Sequence, residues 1–260
     1  MSVRTISLAA LAAAFPLFIT APTTGHYRVE QLTIQETDQT AFPGGTKRSD
    51  TVRTTGYLVV TLDDSASGRT IHVHLDSILA ESSVPELQPA LDSLRGTEYH
   101  GFMAANGRLT DFHALTGDTL ATDRVEGLVR DLYPSLKLKA RQGDQWADTL
   151  ARTRELPGGQ MSVNTVTTYK VAATEQHNGV KALRLDASTA GTLKGDQTTQ
   201  GQAVHIDGTS NGTGTYYVDP DGRYLGGSRT QDSELHITLA GLPATMPVTI
   251  HQQTTITLLK

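Results

Sequence analysis

Cysteine is absent from all 260 residues of the chain, and aromatic residues make up only 5% of it. Without cysteine the protein has no disulfide bonds, no thiolate nucleophile and no zinc–thiolate site. Lysine and arginine together number 22 against 27 aspartates and glutamates, and no basic cluster interrupts this mild acidic balance. Because binding to a nucleic-acid backbone needs clustered basic side chains, we expect no nucleic-acid partner.

Long apolar runs are missing as well, except near the N-terminus. There Arg4 precedes residues 6–21, which contain no charged side chain. A positive charge followed by an apolar stretch too short for a transmembrane helix, and then by small residues, is typical of a signal peptide. We predict that residues 1–21 are removed on export, with cleavage between residues 21 and 25. The mature protein is then periplasmic or secreted, with no transmembrane segment.

Alternation of apolar and polar residues recurs along the rest of the chain and favours antiparallel β-strands. The clearest case is Thr70 to Asp76, where Ile71, Val73 and Leu75 share one face. The same alternation is present in Tyr27 to Gln35, Tyr57 to Leu62, Val180 to Asp186, Tyr216 to Asp219, Leu235 to Leu239 and Val248 to Leu258. The sequence therefore predicts a mainly β fold built on a curved antiparallel sheet, either a half-barrel or barrel-like.

Two segments have the apolar spacing of helices instead. Residues 119–133 precede Pro134, and residues 84–94 precede Gly96, so each segment is followed by a residue that commonly ends a helix. We predict one or two short helices in the middle of the chain, covering the sheet.

Two turn signals with similar flanking residues indicate an internal duplication. Asn106-Gly107 is typical of a two-residue hairpin turn, and Asp219-Pro220-Asp221-Gly222 is typical of a type I turn followed by a left-handed glycine. In both places an aromatic strand comes before the turn, and arginine and an apolar residue come after it. We expect one domain, 26–260, made of two β-meanders at about 26–115 and 160–260 and joined by a helical linker at 116–159.

Two short motifs carry a resemblance to known proteins, Gly143-Asp144-Gln145-Trp146 and Tyr217-Val218-Asp219-Pro220-Asp221-Gly222. In these the chain resembles bacterial exported proteins and lipoproteins without an established function. Its overall pattern is similar to the half-barrel of periplasmic lipoprotein carriers, a family whose sheet shields acyl chains under a helical lid. That likeness implies a concave binding surface. The chain departs from the lipoprotein members because it lacks the cysteine that they acylate.

Histidines form two candidate metal sites. His72 and His74 project from one face of the clearest strand, together with Asp76, at a spacing that lets imidazoles converge on a metal ion. If Asn106-Gly107 forms a two-residue loop, residue 105 pairs with 108, and His100 pairs with His113 further along the hairpin. In both places the alternative is a solvated face of an amphipathic strand.

Bulky side chains near the two turns are the candidate ligand-binding residues. They are Phe102, Met103, Trp146, Tyr216, Tyr217 and Leu225. The glycine-rich stretch 208–214 lacks the lysine of a phosphate-binding loop and is not followed by a predicted helix.

These patterns favour a non-enzymatic binding protein that holds an apolar or amphipathic small ligand, such as a lipid, in the concavity of the sheet. One alternative is a structural or interaction module of the cell envelope, which would meet another protein through its sheet edges or its threonine-rich outer face. A metal-dependent hydrolase is a further alternative. We predict no catalytic residue and no cofactor for the preferred function.

Overall fold

The computed structural model describes residues 23–42, 44–65, 68–82, 87–104, 108–115, 134–135, 140–156, 158–199, 202–220, 222–241 and 245–260. The predicted signal peptide, the Asn106-Gly107 turn and the predicted helix at 119–133 lie outside these residues.

The described residues form a succession of long strands with one short helix. The strands are β1 (Thr23–Asp38), β2 (Lys47–Ser65), β3 (Gly68–Ser82), β4 (Glu98–Ala104), β5 (Leu109–Ala114), β6 (Gln145–Leu156), β7 (Gly159–His177), β8 (Val180–Thr199), β9 (Gln202–Val218), β10 (Tyr224–Leu239) and β11 (Thr245–Leu259). The helix, α1, spans Leu87–Asp92, between β3 and β4.

All these strands belong to one 11-stranded antiparallel sheet with the order β5-β4-β3-β2-β1-β11-β10-β9-β8-β7-β6. Strands that follow one another in the chain lie side by side, except β5 and β6, and the pairing of β1 with β11 joins the two runs of strands. The sheet is strongly curled into a half-barrel, with β5 and β6 at its edges. The predicted mainly β fold with a curved antiparallel sheet is confirmed.

Each segment predicted as a strand from its alternation lies within a strand or ends next to one. Helix α1 falls inside the predicted segment 84–94, and Gly96 follows it with φ +81°, in the left-handed region that suits glycine. Strand β6 was not predicted, because it lies in the segment expected to be a helical linker. No helix among the described residues has the length and apolar character needed to cross a bilayer.

The concave surface of the curled sheet, called here the inner face, carries the core. In β3 the side chains of Ile71, Val73 and Leu75 are 0% exposed, while His72 and His74 between them face outward. The same alternation runs through the neighbouring strands, so the predicted faces of β3 are confirmed. The opposite surface, the outer face, is rich in threonine, histidine and acidic side chains.

Half of the inner face is crossed by a row of aromatic rings, called here the aromatic row. Its members stack or tilt against one another with ring centroids 5.5 to 6.3 Å apart. In order across β6, β7, β9, β10 and β1 they are Trp146, Tyr169, Tyr216, Tyr224 and Tyr27. A chain with few aromatic residues thus places five of them in one row, where each ring contacts a ring on an adjacent strand or on the strand beyond it.

Glycines on the inner face make room for this curl. A β-carbon on Gly25 would lie 2.7 Å from the ring of Tyr27, and one on Gly214 would lie 2.9 Å from the ring of Tyr216. In both strands a tyrosine ring therefore covers the glycine two positions before it. At Gly227 a β-carbon would overlap the carbonyl oxygen of Thr215 on the neighbouring strand. A larger residue at Gly25 or Gly214 would displace the tyrosine ring, and one at Gly227 would press against the backbone of β9.

The buried hydrogen bond in the aromatic row gives a first prediction. The hydroxyl of Tyr27 donates to the carbonyl oxygen of Tyr224 over 2.9 Å, in the buried interior. Tyr27→Phe removes this donor and should lower the free energy of unfolding by about 1–3 kcal/mol, as urea denaturation would measure. Tyr57→Phe, at a half-buried position on the outer face of β2, should change it by less than about 0.5 kcal/mol. Equal effects of the two substitutions would contradict this assignment.

The crowding at Gly227 gives a second prediction. Gly227→Ala should lower the free energy of unfolding by about 3 kcal/mol, because the added methyl group overlaps backbone that cannot move alone. Gly195→Ala is the matched control, since the nearest atom to its added carbon, the carbonyl oxygen of Gln160, is 3.3 Å away. That substitution should change stability by no more than about 1 kcal/mol. Thermal and urea unfolding of the two variants would test whether inner-face crowding sets the choice of glycine.

Candidate functional site

A cavity of about 400 Å³ lies against the inner face, over strands β6 to β10. Its size falls within the range of pockets that hold small organic molecules. The strands that line it are antiparallel to one another. Their inner-face residues belong to the aromatic row at one end of the cavity and are mostly glycine and threonine towards the other end. It therefore joins an apolar end to a more polar one.

The apolar end is formed by the aromatic row. Tyr169 and Tyr216 line the cavity with their rings, and both are at least nine-tenths buried. The peptide of Ser135 lies beside them: the indole Nε1 of Trp146 donates to its carbonyl oxygen over 3.0 Å, and its amide donates to the Tyr169 hydroxyl over 3.4 Å. These bonds fasten Pro134 and Ser135 at the cavity wall. Further apolar lining comes from Leu109, Leu150, Val163, Leu193 and Leu235.

Hydroxyl groups form much of the remaining wall. They belong to Thr165, Thr167, Thr189, Ser210 and Ser233, whose side chains share the inner face. The hydroxyls of Thr167 and Thr189 bond to each other across β7 and β8 over 3.1 Å. Because Gly191 and Gly212 lie among them on the inner face and carry no side chain, space remains above the backbone. The wall can therefore offer hydrogen bonds to a ligand without filling the cavity itself.

Charged side chains lie at two places on the cavity wall. Arg108, just before β5, reaches Asp148 of β6, with 3.9 Å between Nε and Oδ1. This ion pair links the two edge strands of the half-barrel, which do not pair in the sheet. Arg229 lies on the inner face of β10, and its guanidinium donates to the side-chain oxygen of Gln231. A ligand in the cavity would thus meet an ion pair at the first place and the Arg229 guanidinium at the second.

The predicted ligand-binding residues lie at several different places. Of the six, Tyr216 lines the cavity, and Trp146 reaches it indirectly through Ser135. Met103 is buried in the core on the inner face of β4, and Phe102 faces outward beside it. Tyr217 also faces outward.

Leu225 is buried at an irregularity of strand β10. It lies where the register with β9 shifts between Tyr224 and Gly226. The six residues are therefore not gathered around one space.

On the outer face three of the four predicted histidines come together. The register places His72 opposite His100, and His100 opposite His113, so the three histidines form a row across β3, β4 and β5. Nδ1 of His72 and Nε2 of His100 are in direct contact. His74 is instead engaged by carboxylates, with Glu98 3.0 Å and Asp76 3.5 Å away. Nowhere do the described residues bring together three or more potential metal ligands of the His, Cys, Asp and Glu types.

The predicted pairing of His100 with His113 is confirmed, but the hairpin reaches it by another route. The amide of Ala104 donates to the carbonyl of Arg108 over 2.9 Å and Met103 pairs with Leu109, a register one residue away from the predicted pairing of 105 with 108. Asp111 then adopts φ 50° at a register shift, which restores the pairing predicted for His100.

Local burial and neighbouring imidazoles change the titration of His100. Burial lowers the pKa of His100 below its usual value, and the nearby His72 and His113 lower it further. The neutral form, which can bind a metal ion, is thereby favoured.

The Asp219–Gly222 turn acts structurally. The carboxylate of Asp219 is almost fully buried and accepts hydrogen bonds from the amide and from Nε of Arg223, over 2.8 and 3.0 Å. Gly222 has φ +85°, as the predicted turn requires. These contacts account for Asp219 without a ligand.

His177 at the end of β7 allows a test of pH dependence. Its ring stacks on Tyr217 with centroids 3.8 Å apart, and burial lowers its pKa below 6.5 although the Glu175 carboxylate opposes this. A histidine with a lowered folded-state pKa takes up its proton more readily when unfolded, so its contribution to stability is lost as the pH falls below 6.5.

His177→Phe keeps an aromatic ring over Tyr217 but removes the titrating group. We expect a smaller loss of unfolding free energy between about pH 7.5 and about pH 5 than in the unchanged protein. The groups that face it, Glu175 with its ion-pair partner Arg184 and Tyr217, remain in place. His236→Phe, at an exposed position on β10, is the control. A pH profile unchanged by His177→Phe would show that His177 does not contribute to it.

The chain matches no known protein family and no curated protein. Its function therefore has to be argued from the cavity, the side chains that line it and the histidines of the outer face.

Proposed function

We propose that the protein is a non-enzymatic binder that holds an apolar or amphipathic small ligand in the cavity of the inner face. The observation that carries this proposal is the cavity of about 400 Å³ between the aromatic row and the hydroxyl-lined strands. Apolar side chains that face a space of this size contact water unless a ligand covers them. Leaving them in contact with water is energetically unfavourable.

The division of the wall favours an amphipathic ligand over a purely apolar one. The rings of Tyr169 and Tyr216, with Leu193 and Leu235 further along, offer apolar surface to a hydrocarbon portion. The threonine and serine hydroxyls offer hydrogen bonds to a polar portion, and the Arg229 guanidinium lies on the same side of the sheet. Such a ligand would satisfy both kinds of wall at once.

Other observations support the same proposal. The half-barrel is the architecture whose resemblance to lipoprotein carriers the sequence indicates, and in that family the concave side shields acyl chains. We propose that the protein works outside the cytoplasm, as the N-terminal sequence predicts. A carrier in that compartment would meet lipids and other amphipathic molecules released from a membrane.

Mass spectrometry of an organic extract tests the proposal directly. The protein would be purified without detergent, and one aliquot would be heat-denatured before extraction to release any tightly held compound. We expect a hydrophobic or amphipathic compound at about one per chain. Recovery of no such compound from well-folded protein, together with no binding of an added fluorescent fatty acid, would overturn the proposal. The interaction module of the envelope would then become the leading function.

A pair of substitutions on β7 locates the binding surface. Thr165 lines the cavity, whereas Thr168 lies on the opposite face of the same strand, exposed to solvent. Thr165→Trp places a large ring in the cavity and should reduce the bound compound at least tenfold, as about 1.4 kcal/mol of lost binding energy would do. Thr168→Trp should leave it unchanged. Equal occupancy in the two variants would place the ligand elsewhere.

A further inference from the structure

The outer-face histidines lie on the side of the sheet away from the cavity and are not used by the proposed ligand binding. His72 on β3 and His100 on β4 are directly opposite in the register. The two strands are held together by their ladder of backbone hydrogen bonds, so the Cα atoms cannot move apart freely. The two imidazoles are therefore presented to solvent from a rigid platform.

The rings are turned so that a nitrogen of each faces the other. Nδ1 of His72 contacts Nε2 of His100, with ring centroids 3.7 Å apart and planes at 78°. Two nitrogen lone pairs that converge in this way form the geometry in which two imidazoles bind one metal ion. The alternative to a metal ion is one proton that the two nitrogens share in a hydrogen bond.

A carboxylate stands behind one of the rings. Oδ2 of Asp63, on the adjacent strand β2, lies 3.7 Å from Nε2 of His72, the nitrogen on the far side of the ring from His100. At this separation the carboxylate does not hydrogen-bond to the ring, but its negative charge favours the tautomer that carries its proton on Nε2. Here that tautomer leaves the Nδ1 lone pair of His72 directed at His100.

Other histidines of the outer face differ in this respect. His205 pairs with Asp196 over 2.7 Å, and His251 pairs with Asp232 over 2.6 Å, each across two strands. Among the residues that the structure describes, no other imidazole nitrogen lies against the ring of His205 or His251. The contact between two imidazoles is thus the feature that distinguishes His72 and His100 from them.

We propose that His72 and His100 form a binding site for a transition-metal dication on the outer face, with Asp63 positioning His72. Because the described residues gather no third ligand, water completes the coordination of the ion. Sites of this kind prefer Cu²⁺ over Ni²⁺ and Zn²⁺, in keeping with the general order of affinity for nitrogen ligands.

Titration of the chelator-stripped protein with Cu²⁺, followed by calorimetry, tests the site. We expect one tight binding step per chain, and at least a tenfold weaker affinity in His72→Asn and in His100→Gln. Asp63→Asn should weaken binding about tenfold, as the loss of a positioning carboxylate does in other metal sites. His205→Gln and His251→Gln are matched controls on the same face and should retain the tight step.

Electron paramagnetic resonance of the Cu²⁺-loaded protein gives a readout that a purely structural effect would not produce. Two nitrogen ligands are expected in the unchanged protein and in both controls, and fewer in His72→Asn and His100→Gln. Nuclear magnetic resonance of the unchanged protein provides a check that needs no variant, because paramagnetic Cu²⁺ should broaden the His72 and His100 ring signals first. Unaltered Cu²⁺ affinity in the two variants, or equal broadening of all histidines, would overturn the proposal.

Discussion

The crowding on the inside of a strongly curled sheet decides which residues can occupy that surface. Glycine at positions 25, 214 and 227 leaves room for tyrosine rings or for the backbone of the next strand. The rings of Tyr27 and Tyr216 then fill the space that these glycines leave. Tyrosine rings beside glycines fill one end of the concavity. Glycines that no ring covers leave the other end open. The cavity is therefore a consequence of how the curl is accommodated.

The two faces of the sheet carry separate chemistries because neighbouring residues in a strand point in opposite directions. Inner-face side chains supply rings, leucines and hydroxyls, which suit a small amphipathic molecule. Outer-face side chains supply histidines and carboxylates that pair across strands, as in His205 with Asp196. A ligand on one face and a metal ion on the other would share only the backbone between them. Changes at one site can therefore be made with little direct effect on the other.

Sequence patterns predicted the fold more fully than the site. The strict alternation around Ile71 and Val73 gave both the strand and its buried face, because period-2 alternation has one structural explanation. Strand β6 escaped prediction because its alanines, threonines and arginines do not alternate in polarity. Phe102 with Met103, and Tyr216 with Tyr217, are adjacent pairs, and adjacent strand residues cannot line the same concavity. The contact between His72 and His100 depends on the register of β3 against β4, which no local turn signal specifies.

The pairing of β1 with β11 has a consequence for how the chain folds. Every other strand pair joins consecutive strands. Pairing of Val29 with Ile256 instead brings together parts of the chain that are far apart in sequence. Closing so large a loop is entropically unfavourable, and contacts of this kind slow folding. The two runs of strands should therefore acquire structure before the seam between them closes. Since the aromatic row crosses this seam through Tyr27 and Tyr224, the late step in folding would also be the one that completes the aromatic row.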